Sequence, residues 1–309
     1  MSKISNQVSA IHWLISRVAV IYAILFVFCL LCVDFKTVDM RIKLKHLNGA
    51  IPDFSNMINS AKYQNQGQAM DWSPYKNYFE LILRYMPDDF IAKQLLGFVD
   101  YHTGQEQEAI ELLKSSAVVN GQELFWPNYN LGVLYYKKNM WPQAAEYLLK
   151  TVASNPQVMV FLMQNSFIYK QIFANPYFRY SLNDEIKDAQ SRAYILLLSS
   201  LYHMGQYDKV AVISDLGIAN QNLSYKDAFY YYAGLAFFDT GQISKAFLLF
   251  QKSLTVEKNN PDVYYYMASI YQKEGQLEQA RDFLRVSYAL HQKNDPRFPY
   301  EAKINPRFF

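Results

Sequence analysis

The sequence predicts an all-α protein in which one N-terminal membrane-spanning helix precedes a solenoid of stacked helical hairpins. Three observations predict this. An uncharged apolar run lies near the N-terminus, matching residues recur 34 positions apart through the rest of the chain, and apolar residues within the repeats follow helical spacing.

Composition sets the outer bounds. Of 309 residues, 51% are hydrophobic and 17% aromatic, and the 18% that are charged fall below the usual quarter. That is enough apolar surface for a large core and argues against disorder. The net charge is only +3, and no Lys/Arg run is dense enough to follow a phosphate backbone, so nucleic acid is not expected as a partner. Cys29 and Cys32 both lie in the apolar run, so the rest of the chain has neither a disulfide nor a thiolate metal site. Their C-x-x-C spacing lacks the surrounding βαβ pattern of redox proteins and reads as two apolar side chains facing lipid.

The first element is the membrane segment. Val18 to Val33 contains no charge, but sixteen helical residues reach only about 24 Å, short of a hydrocarbon core of about 30 Å. Extending back to Ala10 gives about 36 Å and places Arg17 in the first turns, where its guanidinium can snorkel to the headgroups beside Trp13. No small-residue cleavage pattern comes after it, and Leu31 stands before Cys32 where a lipoprotein signal needs a small residue. The expectation is a retained anchor at residues 10–33 in contact with the lipid bilayer. Lys3 and Arg17 flank it on one side and Lys36, Arg41, Lys43 and Lys45 on the other. Charge alone favours a cytoplasmic domain. A short basic tail before a single helix usually leads to export of the domain beyond that helix, and the balance falls toward a periplasmic domain on a single-pass, bacterial inner-membrane protein.

Beyond a polar connector at 34–73, the repeats begin. Tyr230 aligns with Tyr264, Gly241 with Gly275, Ala246 with Ala280 and Ser253 with Ser287, each pair 34 residues apart. The same frame fits Phe125–Val158, through Leu131, Gly132, Tyr135 and Ala144, and Phe90–Leu124, through Leu96, Gly97, Gly104 and Ala109. It fits Ser191–Lys226 more loosely, through Tyr194, Gly205 and Val210. Tyr264, Met267, Ala268 and Tyr271 share one helical face. Gly104, Gly205, Gly241 and Gly275, with Asn139 in the remaining copy, mark a helix-to-helix turn at positive φ.

This pattern resembles the tetratricopeptide repeat, in which a bulky residue, Leu-Gly, Tyr, a turn Gly and Ala precede a closing Pro. The resemblance implies a right-handed superhelix of about five helix pairs, with Tyr75, Phe79 and Ile82 in a capping half-repeat. It divides the chain into an anchor (1–33), the connector, an N-terminal block (74–158), an insertion (159–190), a C-terminal block (191–290) and a tail (291–309). The insertion lacks the Leu-Gly and Gly/Ala markers, and the tail, with three prolines and four aromatic residues, is expected to pack back along the end of the array.

No Walker-type loop, G-x-G-x-x-G, G-x-S-x-G or H-E-x-x-H occurs. His102 and His203, at the ends of first helices, read as exposed surface, and Glu106, Glu108 and Glu111 as a solvated face. No enzyme activity, metal or small-molecule cofactor is expected. The family's concave groove is lined by first-helix positions 2, 5, 9 and 12. Carried over, these are Ile91, Gln94, Phe98 and Tyr101, then Trp126, Tyr129, Val133 and Tyr136. Arg192, Ile195, Ser199 and Tyr202 come next, then Ala228, Tyr231, Leu235 and Phe238, and finally Asp262, Tyr265, Ser269 and Gln272. Chaperone-tail-binding members clamp a carboxylate with lysine and asparagine where Gln94 and Phe98 stand, so that role is not expected. The resemblance implies an adaptor that binds a protein or peptide partner in an aromatic groove. The alternatives are a structural subunit of an envelope, secretion or pilus-type assembly, or a regulator of a membrane-bound biosynthetic enzyme.

Overall fold

The computed structural model describes residues 38–43, 71–166 and 182–292. The expected membrane segment at 10–33 and the tail from 293 onward lie outside the described residues. Among the described residues no helix is long and apolar enough to cross a membrane.

The chain is built of antiparallel helices in sequence order. They are α1 (Ser73–Tyr85), α2 (Phe90–His102), α3 (Glu106–Ser116), α4 (Phe125–Lys137), α5 (Trp141–Ala153) and α6 (Pro156–Asn165). After residues 167–181 come α7 (Leu182–His203), α8 (Tyr207–Ala219), α9 (Lys226–Asp239), α10 (Ile243–Val256), α11 (Pro261–Lys273) and α12 (Leu277–Gln292). The pairs α2/α3, α4/α5, α7/α8, α9/α10 and α11/α12 are the five expected hairpins, and each packs on the next. α1 buries Tyr75, Tyr78, Phe79 and Ile82 against this array, as a capping half-repeat should. The helical stretch at 38–43 closes that end: Met40 joins the core, and Tyr85 donates its hydroxyl proton to Asp39 and receives a bond from Lys43 Nζ at 2.8 Å.

Local chemistry sets the helix ends. Asp89 Oδ1 accepts from the Ala92 N–H at 2.8 Å at the start of α2, and Asn260 Oδ1 accepts from Asp262 N–H at 3.1 Å at the start of α11. The proline that closes a unit in sequence is the first residue of the next helix, where its missing N–H costs no bond; Pro156 and Pro261 both sit there. At the hairpin turns Gly241 adopts φ +78° and Asn139 φ 57°. Both are left-handed values that these two residue types accept most readily.

Small residues allow the close approach that the repeat demands. A Cβ on Gly132 would stand 2.6 Å from Leu148 Cγ, and one on Gly234 would stand 2.6 Å from Phe250 Cε1. The stripe Tyr264, Met267, Ala268 and Tyr271 turns toward α12, with Phe283 5.8 Å from the Tyr264 ring and 5.2 Å from Tyr271.

The structure adds local detail to the sequence reading. A short antiparallel ribbon, β1 (Val118–Val119) with β2 (Gln122–Glu123), joins α3 to α4 within the helical solenoid. Asn120 (φ 51°) and Gly121 (φ 75°) form its turn, a two-residue hairpin signal inside the third connection. The insertion expected at 159–190 takes in the end of α6 and the start of α7, at Leu182. α7 then packs directly on α5, which brings the two repeat blocks into one continuous array. The apolar flank of α5 needs cover, and α7 is the next amphipathic helix able to supply it.

Candidate functional site

The first helices α2, α4, α7, α9 and α11 lie side by side, and the residues expected to line a groove lie along them. Most do not present surface. Ile91, Gln94, Phe98, Trp126, Tyr129, Val133, Ile195, Tyr231 and Leu235 are buried, as are Ser199 and Ala228. The reason is repeat packing: positions 2, 5 and 9 of one first helix are walled in by neighbouring helices. α6 also lies against α4 with Met159 and Met163 buried, taking up space that a groove at Trp126 and Tyr129 would need. Burial pushes the Tyr129 phenol well above its ordinary range.

The twelfth positions behave differently. Tyr101, Tyr136, Tyr202 and Phe238 occupy the last turns of their helices and are half-buried, as is Arg192, while Tyr265 is 51% exposed. Tyr136, Tyr202 and Phe238 bridge repeats. The Tyr136 hydroxyl lies 2.9 Å from Ser199 Oγ, joining α4 to α7, and Tyr202 donates to Asp239 Oδ2 at 2.6 Å, joining α7 to α9. Burial, reinforced by that carboxylate, raises the Tyr202 pKa far above the usual phenol value and keeps it a donor. Phe238 carries the Lys273 ammonium 4.3 Å from its ring centre, joining α9 to α11, and Tyr266 meets it edge-on at 5.3 Å.

Arg192 is held rather than extended. Its Nε donates to Asp188 Oδ2 at 2.6 Å, and its guanidinium carbon lies 5.7 Å from the Tyr225 ring centre. Tyr225 donates to the same carboxylate while adopting a left-handed backbone (φ 61°), a strained state for a bulky residue that this cluster stabilises. Next to it, Lys226 Nζ donates to the carbonyls of Gly217 at 2.6 Å and Ile218 at 3.1 Å, capping α8.

The histidines correct one expectation. His102 is half-buried, stacked on Trp72 with ring centres 5.1 Å apart and planes at 10°, and burial, with the Lys137 charge, lowers its pKa to about 4. His203 stacks on Trp141 at 4.3 Å and is exposed. Asp188, Tyr225, Asp239, Tyr266 and Lys273 were not among the expected site residues. Only Asp188 had a local signal, four residues before Arg192 on one helix; the others meet partners 28 to 37 residues away, on a neighbouring unit. Among the described residues no three His, Cys, Asp or Glu side chains come together as a metal site.

Two segments match tetratricopeptide-repeat families. One match covers residues 128–157, the α4/α5 hairpin, and the other covers 249–282, from α10 across α11 into α12. No curated protein matches the chain. Among solved structures, one titled "MamA MSR-1 C2" is 16% identical and covers 66% of this chain and 97% of its own, with a TM-score of 0.43. A second, "Crystal structure of MamA", is 14% identical and covers 76% of this chain and 95% of its own, with a TM-score of 0.31. The two segments that match family models, 128–157 and 249–282, carry tetratricopeptide repeats within a helical solenoid.

Proposed function

We propose that this chain is a membrane-anchored scaffold that holds a protein partner along the edge formed by the ends of its first helices. The observation that carries the reading is the row of Tyr101, Tyr136, Tyr202 and Phe238, half-buried and one per repeat, with Tyr265 exposed two turns nearer the start of α11. Tyrosine offers large contact area with few rotatable bonds and a polar tip, the chemistry of interface hot spots. Bridging already fixes Tyr136, Tyr202 and Phe238, so little of their side-chain entropy is lost when a partner docks.

The anchor is residues 10–33, supported by the uncharged run from Val18 to Val33 with Trp13 and Arg17 at its edge. In this reading the scaffold faces the periplasm from a bacterial inner membrane and works without cofactor or catalysis. Its function is to raise the local concentration of the captured partner at the bilayer.

The test is site-specific photocrosslinking in the native membrane, with the probe at Tyr265 or Tyr101 and, for comparison, at the outward-facing Leu248, which is exposed on α10. A partner should crosslink from Tyr265 and Tyr101 and not from Leu248, and Tyr265→Ala should weaken crosslinking from Tyr101. Equal capture from Leu248, or no dependence on Tyr265, overturns the reading.

A further inference from the structure

The two ends of the array are finished differently. At the N-terminal end, α1 is covered by the non-repeat stretch at 38–43, with Met40 buried. At the C-terminal end, α12 carries the stripe that in every earlier unit lies under the next hairpin. The preceding unit shows what belongs there. On α10, Phe247 and Phe250 are covered by α11, where Tyr271 meets Phe247 edge-on at 5.4 Å and Tyr266 stacks on Phe250 at 5.7 Å. Ile243, one helical face-step before them, is half-buried. Thirty-four residues later the same register reads Leu277, Arg281 and Leu284, and here Leu277 is 63% and Leu284 42% exposed.

We infer that residues 293–309 dock on this face and close the array, with Phe298 and Tyr300 taking the places that Tyr271 and Tyr266 take on α10. The segment fits in three ways. Its prolines at 296, 299 and 306 forbid a further helical hairpin and favour an extended strand-like path. Asn294-Asp295, just after α12, is a pair of residue types suited to a turn.

Length fits as well. α12, with 16 residues, is about 24 Å long. An extended return at about 3.1 Å per residue needs only about eight residues to run back along it. With the first few spent on the turn, Phe298 travels about 10 Å back, level with Leu284.

The test places a photocrosslinking amino acid at Leu284 in the full chain, with the same probe at Leu248 as reference. The expected product joins position 284 to a peptide within 296–304, runs at the mass of a single chain, and forms roughly tenfold more than at Leu248, because a tethered segment reaches a local concentration in the millimolar range. Replacing Phe298 and Tyr300 by Ala should return it to the reference level. A product at twice the chain mass would assign the face to a second copy, and a yield no higher than at Leu248 would leave it open to solvent. Either result overturns the inference.

Discussion

Gly234→Ala sets two effects of known sign against each other. In the middle of a helix, alanine is preferred over glycine by about 1 kcal/mol, so with free space around the residue the substitution stabilises. The structure leaves none. The new Cβ would lie 2.6 Å from Phe250 Cε1 and 2.7 Å from Cδ1, whereas carbon atoms rest about 3.5 Å or more apart. The ring must therefore move by about 1 Å. It cannot swing freely, because Phe250 is fully buried and stacked on Tyr266 at 5.7 Å with Tyr231 tilted against it at 6.3 Å. Overpacking of this kind costs about 1–3 kcal/mol, which exceeds the helical gain and leaves a net loss of about 1 kcal/mol.

The measurement is the urea midpoint of the full chain in detergent, monitored by helical circular dichroism. Repeating it in a Phe250→Ala background removes the side chain that the methyl strikes, and there Gly234→Ala should become stabilising. The coupling between the two sites should approach 2 kcal/mol. If Gly234→Ala stabilises the otherwise unchanged protein, or costs the same in both backgrounds, the close approach of α9 and α10 is not what selects glycine.

Two further outcomes concern buried groups. His102 has its folded pKa lowered from 6.5 to about 4, so the unfolded chain takes up a proton first on acidification. The stability this group contributes is complete above pH 6.5 and is lost as pH falls toward 4. His102→Phe, which keeps a ring over Trp72, should flatten the fall in urea midpoint across that window, and an unchanged slope would assign the loss to other groups. Gln94 is buried, and its Nε2 lacks a hydrogen-bond acceptor. Gln94→Met keeps the volume and removes the unsatisfied donor, so it should raise stability by about 1 kcal/mol in the same assay; a loss would reveal a bond to Gln94.

The repeat period, the turn residues and the small-residue positions could all be read from the chain, because each reflects a constraint acting within one hairpin. Gly241 and Asn139 are legible through their backbone angles, Gly132 and Gly234 through the neighbour that crowds them, and Pro156 and Pro261 through the donor they lack. Tyr75, Phe79 and Ile82 are legible for the same reason, since spacing on one helix already states which face is buried. The Asn120-Gly121 hairpin was also local and was hidden only by the helical periodicity around it.

Which aromatic residues remain at the surface was decided by the tertiary arrangement alone. Tyr129 and Tyr136 occupy equivalent-looking positions on one helix, yet Tyr129 is buried while Tyr136 reaches Ser199 across the repeat boundary. The placement of α7 on α5, despite the intervening segment, determines that difference. Helical period states that a side chain points toward the array. Whether it meets solvent there depends on what the neighbouring unit and α6 bring against it, and that is a property of packing between segments far apart in the chain.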